Sequence, residues 1–183
     1  MPSRLYGSFG IWLLAATVWG VSAPLPVGSQ FQVNTYTTNS QSFPAVSMDA
    51  DGDFAVVWES WGSSSGDTWY DSVHARRYGA DGTPQASSFQ VNTYTPSYQN
   101  GVAISLDADG DFVVVWQSYG SSAGDSSDES IQGQRFSPAG VAQGAQFQVN
   151  VYTTGPQKVP AVASDPDGDF VVVWRSDGSS GSD

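Results

Sequence analysis

Cysteine is absent from all 183 residues, which excludes disulfides and thiolate metal sites. Positive charge is scarce: 6 Lys and Arg stand against 18 Asp and Glu, a formal net charge of -12. That balance removes the basic footprint needed for nucleic acid or an anionic membrane surface. There is one histidine, His74, with no Ser or Cys partner readable beside it, so it reads as a surface histidine rather than a catalytic base. No phosphate loop or dinucleotide fingerprint occurs. The N-terminal apolar run, Ile11 to Val18, is too short to form a stable membrane span.

That run has another use. Arg4 precedes it and Val21-Ser22-Ala23 follows as a small-residue cleavage pattern, so residues 1–23 are expected to be a secretory leader and the protein secreted or on the cell surface. Pro24 fits poorly just after such a cut; the other reading is a misassigned start with an uncleaved apolar leader.

The remainder, 24–183, is expected to be one repeat array. Phe31-Gln32-Val33-Asn34 returns at Phe89 and at Phe147, a step of 58 residues. Asp49-Ala50-Asp51-Gly52-Asp53-Phe54 returns at Asp107 and, with Pro166, at Asp165, and Trp58, Trp116 and Trp174 keep the same step. A fixed period of this size means repeated supersecondary units that share a core with their neighbours. The repeats run 31–88, 89–146 and, truncated, 147–183.

Gly, Ser, Asn and Asp turns between Val- and aromatic-rich segments predict strands throughout. In the first repeat these are Phe31–Tyr36, Phe43–Met48, Phe54–Ser60 and Ser72–Tyr78. Asp165-Pro166-Asp167-Gly168 and Ser137-Pro138-Ala139-Gly140 suit a type I turn closed by a left-handed glycine, giving three-residue hairpin loops. Asp49 then lies opposite Asp53, Met48 opposite Phe54, Val46 opposite Val56 and Pro44 opposite Trp58, with Leu106–Phe112, Ile104–Val114 and Val102–Trp116 as their counterparts. One face is bulky and apolar except at Ser164; the other carries the small residues Ala45, Ser47, Ala55 and Val57.

Phe112-Val113-Val114-Val115-Trp116 is apolar on both faces, so it must lie between layers. Four-stranded antiparallel sheets stacked at every repeat describe an all-β array of propeller blades, with tandem immunoglobulin-like domains as the runner-up. Two full repeats and part of a third make an incomplete propeller, which needs the rest of a longer chain or self-association to close. Left open, it exposes strand edges and apolar faces.

The nine carboxylates Asp49, Asp51, Asp53, Asp107, Asp109, Asp111, Asp165, Asp167 and Asp169 crowd the hairpin tips. Two readings stand: calcium relieves their repulsion, or they are turn-forming and solvated residues. The full EF-hand pattern is missing, with Gly52 at the fourth loop position and Ser60 where a bidentate Glu would stand.

The Asp-x-Asp-Gly-Asp-Phe-Val-Val-Val-Trp hairpin in a blade-sized repeat resembles the FG-GAP and VCBS-like repeats of secreted bacterial proteins, related in style to the integrin alpha propeller, over about residues 25–183. The resemblance implies an extracellular, often calcium-binding propeller within adhesive or surface proteins. This chain departs from it at Val57, Val115 and Val173, where those calcium loops usually carry a further acidic residue. Ser47-x-Asp49 with Trp58 also resembles, loosely, the structural Asp-box hairpins of sialidase-like propellers.

A single active site should break the repeat. The unrepeated residues are Trp69, Tyr70, Asp71, His74 and Arg76 in the first repeat, and Ser127, Asp128, Glu129, Gln132 and Gln134 in the second. Asp128 and Glu129 are adjacent and point apart in an extended segment, a poor acid/base pair. Trp61, Trp69 and Tyr70 suit either sugar stacking or packing between blades. Arg77 and Arg135 recur and read as structural. The expectation from sequence is a non-catalytic extracellular module that binds protein or glycan, or scaffolds, stiffened by calcium. The alternative is a fragment of a secreted carbohydrate-active propeller enzyme, and a third reading is a purely structural array.

Overall fold

The computed structural model describes residues 10–11, 28–63, 67, 70–121, 125 and 128–178. Almost all of the leader, Trp69 and Ser127 lie outside the described residues. The described residues form twelve strands: β1 (Gly10–Ile11), β2 (Phe31–Gln32), β3 (Gln41–Met48), β4 (Phe54–Trp61), β5 (Asp71–Tyr78), β6 (Phe89–Gln90), β7 (Gln99–Leu106), β8 (Phe112–Tyr119), β9 (Glu129–Phe136), β10 (Phe147–Gln148), β11 (Gln157–Ser164) and β12 (Phe170–Ser176). Among these residues no helix is long and apolar enough to cross a membrane.

The fold is an all-β, unclosed propeller of repeated antiparallel sheets. Blade one is β3-β4-β5-β6, blade two is β7-β8-β9-β10, and β11-β12 begin blade three. The blades are offset from the sequence repeats, because the second and third Phe-Gln pairs close the sheet before them: Phe89 pairs with Ala75 and Phe147 with Gly133, while Phe31-Gln32 pairs with Gly10–Ile11. These outer strands are shorter than the Phe31–Tyr36 pattern predicts. The motif asparagine ends them: Asn92 Oδ1 accepts the Val73 N–H at 2.8 Å while its Nδ2 donates to the Tyr94 carbonyl at 3.0 Å. Asn150 does the same with Ile131 and Tyr152. The side chain replaces the ladder and folds the backbone away from the sheet.

The hairpins take the turn chemistry read from their residues. The Asp49 N–H donates to the Asp53 carbonyl at 2.9 Å and the Gly52 N–H to the Asp49 carbonyl at 3.3 Å, with Gly52 at φ 89°. Met48 pairs with Phe54 and Val46 with Val56, as this loop length requires.

One register expectation fails. Pro44 and Val102 do not pair one-to-one with Trp58 and Trp116, because the ladder slips between Ser42 and Ala45 and between Asn100 and Ala103. Two residues, Phe43 and Pro44, stand opposite the single Trp58. The same bulge falls at Gly101-Val102 and at Val159-Pro160, with left-handed φ of 49° at Phe43, 65° at Gly101 and 54° at Val159. Below each bulge a tryptophan is held: Trp58 and Trp116, both buried, and the exposed Trp174 donate Nε1–H to Gln41, Gln99 and Gln157 respectively, each at 3.0 Å.

Blades meet small face to bulky face. Ala55, Val57, Val73 and Ala75 of blade one share a core with Ile104, Leu106, Phe112, Val114, Trp116 and Phe136 of blade two. The bulky face of blade one is covered in part, where Phe54, Val56, Trp58 and Tyr78 form a second core under Phe31 and Val33, while Phe43 is 72 % exposed and, on blade three, Val173 60 %. A left-handed φ costs a β-branched or bulky residue about 1–2 kcal/mol and glycine nothing. Val159→Gly is therefore expected to raise the urea unfolding midpoint and Gly101→Val to lower it. A Gly101 variant would also bring a Cβ within 2.8 Å of Gln117 Oε1. Equal midpoints for the two variants would refute strain at the bulge.

Candidate functional site

Glu59 is the centre of the site, and its position follows from strand alternation. Ala55, Val57 and Glu59 share the face of β4 that meets blade two. There the Glu59 Oε1 accepts the Gly101 N–H of the next blade's bulge at 2.6 Å. Gln117, one repeat on, makes the same latch to the Val159 N–H at 3.0 Å. A neutral amide therefore suffices for the structural task, and blade one holds an ionisable group where none is needed. The third position in the series is Arg175, which cannot accept and instead pairs with Asp177 at 2.7 Å.

Burial pushes the Glu59 carboxyl up to about 7, against the lowering effect of its Gly101 bond and with help from the Asp71 charge. Asp71 is itself raised by burial and by the nearby Asp67 charge. Glu59 thus holds a transferable proton near neutral pH. It borders a cavity of about 290 Å³ whose other walls are the bulges of three blades, among them Phe43, Pro44, Val102 and Val159. At the same end of the blades Tyr70 and Tyr98 meet edge to face at 4.9 Å and Trp61 lies 6.1 Å from Tyr98, all three rings partly exposed.

The Asp triads go to a different end and a different task. Asp49 Oδ1 accepts the N–H groups of Asp51 and Asp53 at 3.0 and 2.9 Å. Asp165 does this for Asp167 and Asp169, and Asp107 accepts from Asp109. Asp53 caps the neighbouring hairpin through Ala80 N–H and Gln85, and Asp111 accepts from Gln143. Asp51, Asp109 and Asp167 face solvent. Among the described residues no group of three acidic or histidine side chains is arranged to share a metal ion.

The unrepeated residues divide. His74 is buried, not on the surface: it stacks on Trp58 at 6.0 Å and contacts Ser72 Oγ at 3.0 Å, and burial lowers it to about 4. Gln132, its counterpart, bonds Ser130 Oγ at 2.9 Å. Arg76 binds the Val33 and Ala86 carbonyls, and Gln134 those of Arg135 and Gly144. Asp128 Oδ1 accepts the Glu129 N–H, and Glu129 pairs with Lys158 of the next blade at 3.1 Å. Trp61 and Tyr70 pack against the next blade's Tyr98. Of the residues named from sequence, Asp71 alone is brought into electrostatic reach of the site's carboxyl. Glu59 escaped notice, although Glu-Gln-Arg at 59, 117 and 175 is the kind of break in the repeat that marks a site.

No family model and no curated protein sequence matches this chain. Solved structures do. An endo-arabinase from Bacteroides thetaiotaomicron superposes with a TM-score of 0.50 at 14 % identity, over 85 % of this chain and 57 % of its own. A thermostable family-43 glycoside hydrolase superposes with a TM-score of 0.51 at 12 % identity, over 82 % of this chain and 52 % of its own. This chain spans little more than half the length of either. At such identities the likeness shows the fold.

It also corrects the expectation of a non-catalytic binding or adhesion scaffold. That expectation took repeat symmetry as evidence against catalysis, yet both neighbours are enzymes built on this architecture. Symmetric hairpins hold the blades; chemistry needs only a few positions that depart from them.

Opposite pH slopes are expected from the two buried titrating groups. Glu59 binds its proton more tightly folded (about 7) than unfolded (4.5), so its stabilisation is lost as pH rises through that interval. His74 is depressed from 6.5 to about 4, so stability is lost as pH falls through that one. Relative to the parent chain, Glu59→Gln should unfold at higher urea as pH rises from 4.5 to 7, and His74→Gln should gain toward acid. Parallel curves would mean neither group titrates as its burial implies.

Proposed function

We propose that this chain belongs to a propeller that hydrolyses glycosidic bonds, with Glu59 as proton donor. The observation that carries the proposal is a single carboxyl, raised to about 7 by burial, at the wall of the cavity where three blades converge. Glycoside hydrolysis needs such a group: a carboxylic acid protonates the leaving oxygen as the bond to the anomeric carbon breaks, and water supplies the new hydroxyl. Asp71 is the second carboxylate whose charge reaches Glu59, and it favours retention of the proton until transfer. The partly exposed Trp61, Tyr70 and Tyr98 rings at the same end suit the flat faces of sugar rings. The leader reading of residues 1–23 supports an extracellular polysaccharide as substrate, and the endo-arabinase neighbour makes arabinan the first polymer to try.

Release of reducing sugar from linear arabinan and arabinoxylan by the full chain tests this. Activity is expected to fall as pH rises through about 7, where Glu59 loses its proton. Glu59→Gln, which preserves the latch to Gly101 as Gln117 does to Val159, should lower the rate by about 100-fold or more while leaving the fold intact. Full activity in that variant would remove Glu59 from the chemistry.

A further inference from the structure

The bulge of β7 sets a reactive dipeptide against Glu59. Asn100-Gly101 is the one Asn-Gly pair in the sequence. Its counterparts in the other bulges, Ser42-Phe43 and Lys158-Val159, carry no side-chain amide. An asparagine's side-chain carbonyl carbon lies within bonding reach of the next residue's backbone nitrogen, and a glycine there has no side chain to hinder the approach. Attack closes a cyclic imide and expels the amide nitrogen as ammonia. Three other asparagines are held against it: Asn34, Asn92 and Asn150 commit Nδ2 to the carbonyls of Tyr36, Tyr94 and Tyr152. Asn100 is half-buried, and among the described residues its side-chain amide makes no hydrogen bond.

Gly101 supplies the nitrogen, and the fold presents its proton to a base. The ladder slips between Asn100 and Ala103, so Gly101 has no one-to-one strand partner, and its N–H goes to Glu59 Oε1 of the neighbouring blade at 2.6 Å. That proton must leave for the nitrogen to attack, and a general base acts from such a distance. The charged groups nearest Glu59 are carboxylates of its own blade, Asp71 and, beyond it, Asp67. The adjacent stretch of β7, Gln99 to Val102, carries no charge, and Lys158 of blade three is paired with Glu129. No cation therefore neutralises the Glu59 carboxylate, which keeps its affinity for a proton.

We propose that Asn100-Gly101 is a self-modifying site at which Glu59 acts as general base. The Glu59 carboxylate takes the Gly101 amide proton, and the nitrogen bonds to the Asn100 side-chain carbonyl carbon. The bond from that carbon to Nδ2 breaks, and Glu59 returns the proton to the leaving ammonia. Water then opens the imide at either carbonyl, leaving aspartate or isoaspartate. The step does not depend on the hydrolase reading. Lys158, the counterpart of Asn100, reaches Glu129, the counterpart of Asp71, so an aspartate at position 100 sets a new carboxylate on the Asp71 side of the interface. Isoaspartate lengthens the main chain at the bulge and draws the Gly101 N–H off Glu59. Either product weakens the contact between blades one and two, and the loss of ammonia makes the change irreversible.

Incubation of the full folded chain at mildly alkaline pH, followed by peptide mass mapping with fragmentation to tell aspartate from isoaspartate, tests the proposal. Conversion is expected at Asn100 ahead of every other asparagine, including Asn39 before Ser40. The rate in the folded chain should rise as pH passes about 7, where Glu59 becomes a carboxylate. Glu59→Gln should slow conversion about tenfold or more while keeping the latch to Gly101. Should that variant fail to fold, folded and urea-unfolded parent are compared: faster conversion in the folded chain is expected, and slower conversion refutes the proposal. It is equally overturned if Asn100 stays intact, or if Glu59→Gln converts at the parent's rate. The converted fraction should melt below the parent; equal melting would refute the weakened contact.

Discussion

Everything in this molecule rests on one blade's small-residue face receiving the bulky face of the next. Ala55, Val57, Val73 and Ala75 leave a shallow surface, and Leu106, Phe112 and Trp116 fill it. Each large side chain so buried contributes about 1.5–3 kcal/mol. Blade one's outer core of Phe54, Val56, Trp58 and Tyr78 is likewise closed from outside its sheet, by Phe31 and Val33, so the stability of a blade is a property of its contact with what flanks it. The same contact carries polar bonds that need both partners: Ser47 Oγ accepts the Leu106 N–H at 3.0 Å, and Ser105 Oγ accepts the Ser164 N–H at 2.8 Å.

The candidate site is a by-product of that contact. Glu59 is desolvated because blade two covers it, and a carboxyl covered by a neighbour keeps its proton to a higher pH. A repeat fold can therefore gain a site without a new element, by changing a residue at a position its neighbour already shields.

The hairpins were legible because their chemistry is local. Asp at the first corner, proline tolerated at the second and glycine at the fourth specify a turn within five residues, and Gly52 and Gly168 both take φ of 89° there. The bulges were not legible. Phe43-Pro44, Gly101-Val102 and Val159-Pro160 share no residue type that demands left-handed backbone at the first position. The next blade supplies part of the cause, since the N–H freed at Gly101 and at Val159 is received by Glu59 and Gln117. His74 was misjudged for a related reason: its strand is covered on both faces, and only the assembled blade shows its packing on Trp58.

The amino-acid sequence by itself determined the period, the strands, the hairpin register from Met48–Phe54 to Ala45–Val57, and which face of each sheet is bulky. These depend on neighbours within one repeat, where alternation and turn residues act at short range. Tertiary structure alone decided which carboxylate is desolvated and where the ladder slips. Those depend on what residues 58 positions away place against one another. A single side chain's surroundings in a stacked array are set by the adjacent blade, and no reading of one repeat contains them.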